Sequence, residues 1–289
     1  MGSTLRAGFI GLGDIGMPMA KRLVAGGLAT TVFDVVAERV RELGAAGAQG
    51  ASSPREVAAA SDVVGVCVRD DADVRAVIGG ADGILAGAAR GAIVAIHSTV
   101  QPKTVEEVAA AAAPSGVTVL DACITGGAAV AEQGGLTVMA GGDPAAIERA
   151  RPFLDCFATK TLHTGPLGSG CKMKLCNNLM TYLAWTSIYE ATMLARAAGL
   201  SQEVLEEVTA SNGNLTEPMR RFILAHKLPE AVRTSEAFQG RMRGFVEIAE
   251  KDLAGSLALA RECGITLPGT AAVSQIMARV YGLDDPKRR

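Results

Sequence analysis

Aromatic residues are scarce in this chain of 289 residues: they make up 4% of it, and tryptophan occurs once. Basic residues are not in excess, with 28 Lys and Arg against 30 Asp and Glu. Non-specific binding of nucleic acid needs a cationic groove and stacking rings, so composition argues against that class. Mean hydropathy is positive, yet no apolar run reaches the roughly 18–20 residues that cross a bilayer. Alanine-rich stretches such as Val108–Pro114 raise the average instead. No signal-peptide layout opens the chain, because Gly11-Leu12-Gly13-Asp14 interrupts the first apolar stretch. The six cysteines include no Cys-x-x-Cys pair, which points to free thiols in a reducing cytoplasm. His97, His163 and His226 lie far apart without metal-ligand spacing, so no metal site is expected. Neither Ser98 nor Ser169 stands in a nucleophile elbow.

What the chain has is glycine, unevenly placed: 26 of the 34 precede Cys171. Apolar β-type runs occur at Arg6–Ile10, Thr30–Phe33, Asp62–Val68, Ala92–Ile96, Val117–Leu120 and Leu136–Ala140, with a last short one at Thr159–His163. Helix-period segments separate them. This alternation predicts a mainly parallel, doubly wound α/β sheet covered on both faces. Thr164–Gly170 is rich in turn residues, whereas Cys171–Ala198 contains no Gly or Pro and predicts one helix about 40 Å long. Further helices are expected at Ser201–Ala210, Ala237–Cys263 and Pro268–Tyr281. The expected division is a first domain over 1–164 and an all-helical one over 165–289.

Gly11-Leu12-Gly13-Asp14-Ile15-Gly16 is Gly-x-Gly-x-x-Gly, set between a strand pattern and a helix pattern. In a dinucleotide-binding turn the first glycine makes the bend, the second admits pyrophosphate to the backbone and the third packs the helix closely. Helix N-terminal N–H groups and the dipole then hold phosphate. Such folds also need an acid about 20 residues on, and Thr30-Thr31-Val32-Phe33-Asp34 supplies Asp34. Its carboxylate would accept the ribose hydroxyls and repel a 2′-phosphate. Val35 and Val36 follow, so no adjacent arginine offsets that repulsion, and NAD is expected over NADP. The plain alternative for Asp34 is a solvated turn acid or a helix cap.

Three further segments follow in order: Ala92-Ile-Val-Ala-Ile-His-Ser-Thr-Val-Gln-Pro102, Asp121-Ala-Cys-Ile-Thr-Gly-Gly127 and Gly168-Ser-Gly-Cys-Lys-Met-Lys-Leu-Cys-Asn-Asn178. With the N-terminal glycine motif, the chain resembles the β-hydroxyacid dehydrogenase family from about Arg6 to Lys251-Asp252-Leu253. That family includes 3-hydroxyisobutyrate dehydrogenases, tartronate semialdehyde reductases and, more distantly, 6-phosphogluconate dehydrogenases. The resemblance implies a Rossmann domain, an all-α domain and a long helix joining them, with the active site in the interdomain cleft. It places Lys174 as catalytic lysine with Asn178 beside it, and Thr125, Gly126 and Gly127 at the substrate. It places Val68, Thr99 and Lys251 at the cofactor, with Gly11, Leu12, Gly13, Asp14, Ile15, Gly16 and Asp34.

The chemistry expected is hydride transfer between nicotinamide and a small 3-hydroxy acid or its semialdehyde, with one proton handled at the alcohol oxygen. A lysine of lowered pKa does this. Lys174, Asn177, Asn178 and Thr181 fall at i, i+3, i+4 and i+7, one polar stripe, whereas Lys172 points elsewhere and is expected to be solvated. Thr125-Gly126-Gly127 offers a hydroxyl and approachable backbone for an anion; an ordinary strand-to-helix turn is the alternative. Ser98 and Thr99 have helix capping before Pro102 as theirs. Asp70, Asp71 and Asp73 are expected to mark a solvated helix start. The chain departs from the family pattern at Cys123-Ile124-Thr125, usually Pro-Val-Ser, and at Arg69, often proline, which bears on the acid chosen. Two other readings stand beside this one: a reductase of an imine or sulfonated aldehyde, and a non-catalytic dinucleotide-binding module. A homodimer or homotetramer through the helical domain is implied by the resemblance.

Overall fold

A computed structural model of the chain describes residues 5–285. They form two compact units, one reaching Lys174 and one running from Leu175.

The first unit alternates strands and helices in the order β1 (Arg6–Ile10), α1 (Gly16–Ala25), β2 (Ala29–Phe33), α2 (Ala37–Ala45), β3 (Gln49–Gly50), α3 (Pro54–Ala59), β4 (Val63–Val66), α4 (Asp71–Gly79), β5 (Ile93–Ile96), α5 (Pro102–Ala112), β6 (Thr118–Thr125), α6 (Ala128–Glu132), β7 (Leu136–Gly141), α7 (Pro144–Leu154) and β8 (Ala158–Gly165). One eight-stranded sheet results, ordered β3-β2-β1-β4-β5-β6-β7-β8. Every pairing is parallel except β6 with β7. The expected doubly wound sheet is therefore present, with one reversal near its end.

Period-2 alternation explains why both faces need helices. On β1, Ala7 and Phe9 pack with Met19 and Leu23 of α1 and with Ile147 and Phe153 of α7. Ile10, Val64 and Val66 face the other way, against Val57, Val74, Ile78 and Val105. Helix starts follow local chemistry: Ser53, Asp70 and Asp143 each accept a first-turn backbone N–H, and Pro54, Pro102 and Pro144 occupy first helical positions.

The register sets one lateral row across the sheet. Phe33, Ile10, Val66, Ile96, Asp121, Gly141 and Gly165 are successive partners from β2 to β8. Three loop amides extend the parallel ladder one step: Gly11 N–H to Phe33 O (3.0 Å), Cys67 N–H to Ile10 O (2.8 Å) and His97 N–H to Val66 O (2.8 Å). The segments after β1, β2, β4 and β5 thus leave the sheet at this level or just beyond it, whereas β6 continues four residues past the row to Thr125.

The long helix α8 (Ser169–Ala197) is unbroken, and the two units divide within it. The helical unit continues with α9 (Gln202–Ser211), α10 (Glu217–Leu224), α11 (Glu230–Arg233), α12 (Glu236–Glu262), α13 (Pro268–Ser274) and α14 (Met277–Val280). Ser201, Thr216 and Ser235 cap α9, α10 and α12. Its core gathers Val246 and Leu253 of α12 with Tyr182, Met277 and Val280. The single helix expected over Pro268–Tyr281 is instead α13 and α14. Ser274 Oγ bonds back to Ala271 O at 2.8 Å, and Ile276 closes an i−3 bond to Val273, local competition that ends a helix turn. Among the described residues no helix is long and apolar enough to cross a membrane.

Candidate active site

The three motif glycines meet different surroundings. Gly11 turns at φ +93°, and a Cβ there would lie 2.1 Å from Cys67 O. A Cβ on Gly16 would lie 1.9 Å from Gly11 O, so helix α1 starts hard against the turn. A Cβ on Gly13 would meet nothing within 4 Å, so this side of its backbone is approachable. No side chain caps α1, whose preceding residue is Ile15. Leu12, Gly13, Asp14, Pro18, Lys21 and Arg39 border a cavity of about 330 Å³ beside this turn.

Asp34 follows β2 with its side chain 6% exposed. One carboxylate oxygen accepts the Leu12 N–H at 2.6 Å and the other the Val36 N–H at 2.8 Å. The acid therefore braces the glycine turn. Arg39 of α2 brings its guanidinium to 3.5 Å from the same carboxylate. The observation that no arginine neighbours Asp34 holds along the chain but not in space, because one helical turn of α2 returns Arg39 to the strand end.

Val68 and Thr99 lie in the loops after β4 and β5. Ser98 ties these loops together: its buried hydroxyl donates to Val68 O and accepts from Val68 N–H, both at 2.8 Å. The three acids at α4 are individually engaged. Asp70 accepts the Asp73 N–H at 2.9 Å, Asp71 accepts the Gln101 N–H at 2.9 Å, and Asp73 pairs with Arg69 at 2.8 Å. Arg69 itself is 85% exposed. His97 is a core residue: Nδ1 donates to Ala122 O at 2.7 Å, and the ring lies near-parallel to Phe9 and Phe153 in a three-ring cluster with centroids 5.9–6.4 Å apart. Burial pushes its pKa down to about 4.

Strand β6 ends at Thr125, and Gly126 and Gly127 both take positive φ (+135° and +79°) before α6. Two successive residues in that region favour glycine strongly, so the turn exposes backbone that side chains would block. Two residues before Thr125, buried Cys123 packs its sulfur 3.6 Å from that of Cys171.

Near the start of the same strand stands Asp121, fully buried. Its two carboxylate oxygens accept the N–H groups of Gly168 (2.9 Å) and Cys171 (2.8 Å) at the beginning of α8. Burial holds this carboxyl above its ordinary range, an effect that the backbone N–H groups offset only in part. This bond pair ties the first turn of α8 to the sheet, which explains why the first unit extends past the glycine-rich connector to Lys174. Lys174 is half-buried on α8, whereas Lys172 is exposed.

In the helical unit the organising group is Asp252, 1% exposed. It accepts Asn178 Nδ2 at 2.6 Å, the Tyr182 hydroxyl at 3.1 Å and Lys251 Nζ at 2.9 Å. Asn177 Nδ2 donates to Asn178 Oδ1 at 3.1 Å, which fixes the amide's orientation. Burial, then the Asp252 charge, pushes the Tyr182 hydroxyl well above its usual range. Two predicted site residues, Asn178 and Lys251, thus meet through one carboxylate.

Residues 6–165 match the family described as the NAD binding domain of 6-phosphogluconate dehydrogenase, and residues 168–286 match the NAD-binding domain of NADP-dependent 3-hydroxyisobutyrate dehydrogenase. The chain belongs to the β-hydroxyacid dehydrogenase family. It is 32% identical over 286 residues to 2-(hydroxymethyl)glutarate dehydrogenase of Eubacterium barkeri, covering 98% of this chain and 92% of that one. It is 39% identical over 208 residues to NAD-dependent L-serine dehydrogenase of Pseudomonas aeruginosa, covering 71% and 70%. A solved structure of Mycobacterium tuberculosis 3-hydroxyisobutyrate dehydrogenase with L-serine superposes with a TM-score of 0.80 at 30% identity, covering 96% of this chain and 93% of that one. This β-hydroxyacid dehydrogenase is accordingly an oxidoreductase built to use a nicotinamide dinucleotide.

Four residues that organise this dehydrogenase escaped the sequence reading: Arg39, Ser98 as a loop clamp, Asp121 and Asp252. Two had a visible sign. Asp121 is a lone acid inside the apolar run Val117–Ile124, and Asp252 precedes the apolar stretch Leu253–Ala260. A charge inside a buried element requires partners.

Proposed function

We propose that this chain oxidises a small 3-hydroxy acid, or reduces the matching semialdehyde, with NAD preferred and Lys174 as the proton carrier. The observation that carries the reading is Lys174, half-buried on the unbroken α8, in a chain whose first unit holds a formed dinucleotide turn. The bound nicotinamide dinucleotide supplies the hydride chemistry. Gly13 and the uncapped start of α1 would hold its pyrophosphate, Asp34 its adenosine ribose, and Val68, Thr99 and Lys251 would contact it further along. In oxidation neutral Lys174 Nζ takes the hydroxyl proton as the carbinol C–H bond gives up its hydride; in reduction the ammonium returns that proton. Thr125, Gly126 and Gly127 hold the substrate carboxylate, and Asn178, oriented by Asp252, stands one helical turn from the lysine.

The substrates named for the relatives support a narrower choice. 2-(Hydroxymethyl)glutarate, L-serine and 3-hydroxyisobutyrate all carry a hydroxymethyl group on the carbon next to a carboxylate. The test is a screen of C3–C6 acids of that pattern with NAD and with NADP, followed by absorbance of the reduced cofactor. Lys174→Ala should then lose at least about a hundredfold in turnover while binding cofactor normally; near-wild-type turnover would remove Lys174 from the mechanism. Exposed Met180, Leu194 and Leu200 support self-association through the helical unit as a dimer or tetramer, which light scattering would check. Six unpaired cysteines fit a reducing compartment such as the cytoplasm.

A further inference from the structure

We infer that Asp121 is a positioning residue for the reaction: its buried carboxylate sets the first turn of α8 and thereby the place of Lys174. The inference rests on the reading of Lys174 as the proton carrier.

Four observations converge. The residue before α8 is Gly168, whose missing side chain leaves the helix without a local cap, and the first intrahelical bond runs from Lys172 N–H to Gly168 O. Ser169 N–H finds Pro166 O in the connector at 3.0 Å, and the N–H groups of Gly168 and Cys171 are left to an acceptor from outside the helix. Asp121 supplies it from β6, far away in sequence, with one oxygen on Gly168 and the other on Cys171. Using both oxygens fixes rotation as well as height, which a single bond does not. The surroundings are shaped to the group: a Cβ on Gly141, its partner on β7, would lie 2.4 Å from Asp121 Oδ1. Cys171 and Lys174 stand three residues apart, so the turn that the carboxylate holds is the one that presents the lysine.

The same strand carries the other half of the chemistry. Four residues beyond Asp121, β6 ends at Thr125 and turns through Gly126 and Gly127. A rigid strand segment thus joins the proposed carboxylate-binding turn to the proposed proton carrier. Catalysis needs these groups held to a fraction of an ångström. A helix merely resting on the sheet would not give that, whereas a buried charge-assisted bond pair does.

Asp121→Asn keeps the shape but turns an amide –NH₂ toward one of the two N–H donors. We expect turnover to fall about tenfold to a hundredfold, with cofactor dissociation constants, read by reduced-nicotinamide fluorescence, within about twofold of wild type. Hydrogen exchange should quicken in the peptide spanning 166–176. Unchanged turnover, or turnover and cofactor affinity lost together, overturns the proposal. In the wild-type protein the Gly168 and Cys171 amides should exchange as slowly as β6, and loop-like exchange refutes the clamp without any variant. Lys174→Ala is measured alongside. If it keeps its turnover, the catalytic reading has failed and this inference with it; if it is inactive while Asp121→Asn is unimpaired, only this inference falls.

Discussion

Lowering the pH should loosen the first unit through His97, and the size of the effect follows from its surroundings. The ring is 3% exposed, near-parallel to Phe9 and Phe153, edge-on to Phe157, with Nδ1–H committed to Ala122 O. Nε2 is buried without a partner, so a second proton there would be an unsolvated charge. The folded pKa is pushed down to about 4, against about 6.5 unfolded. A depressed histidine pKa means that the unfolded chain binds more protons between the two values. The stabilisation is complete above about pH 6.5, and falls away as the pH drops toward 4. Between about pH 7 and about pH 5 the loss amounts to about 2 kcal/mol. Denaturant unfolding followed by hydrogen exchange of β5 and β6 peptides measures it, since these report on the first unit alone. His97→Asn keeps a donor for Ala122 O and cannot titrate in this range; it costs stability at every pH through lost packing, but its pH slope should be flatter by that amount. Equal slopes for wild type and variant would refute the reasoning.

Two other expectations can be checked directly. Asp252→Ala strands Asn178, Tyr182 and Lys251 together, so the helical unit should lose about 3 kcal/mol, read from the fluorescence of Trp185; a loss below about 1 kcal/mol would deny the carboxylate its organising role. At the proposed ribose site, Asp34→Ala should erode the proposed preference for NAD, and Arg39→Ala should raise the Kd for NADP more than that for NAD, because Arg39 is the cation 3.5 Å from Asp34. Equal changes for both cofactors in titration would contradict that division of roles.

The sheet was legible in the sequence because its strands are short continuous apolar runs: β1 runs over Arg6–Ile10 as expected, and β7 gains one residue at its end. β3 was not, since two residues of mixed character carry no period. β6 runs on to Thr125, past the expected Leu120, because Asp121–Thr125 pair antiparallel with Gly141–Thr137 of β7, a partner that only folding supplies. The dinucleotide turn could be read because its glycines are chemically obligatory. Asp121, Asp252 and Arg39 could not be assigned, because each acts on a partner brought near by folding: Asp121 reaches α8 from β6, Asp252 reaches Asn178 from α12, and Arg39 returns to Asp34 around a helix turn. Spacing along a chain finds residues that share an element, such as Lys174 and Asn178. It does not find carboxylates that hold two elements together.

The lateral row Phe33–Ile10–Val66–Ile96–Asp121–Gly141–Gly165 has a consequence for how such an enzyme tolerates insertions and deletions. Hydrogen-bond register moves only in whole residues. A residue added upstream of the row in β1, β2, β4 or β5 would therefore displace the segment that follows by a full step, against neighbours that stay put. Residues added downstream of it, in the turns beyond Val68, Thr99 or Gly127, would leave that frame untouched and reshape only what the segments touch. On the proposed site, splicing loops on one side of this line should exchange substrate preference, with the sheet serving as a fixed ruler.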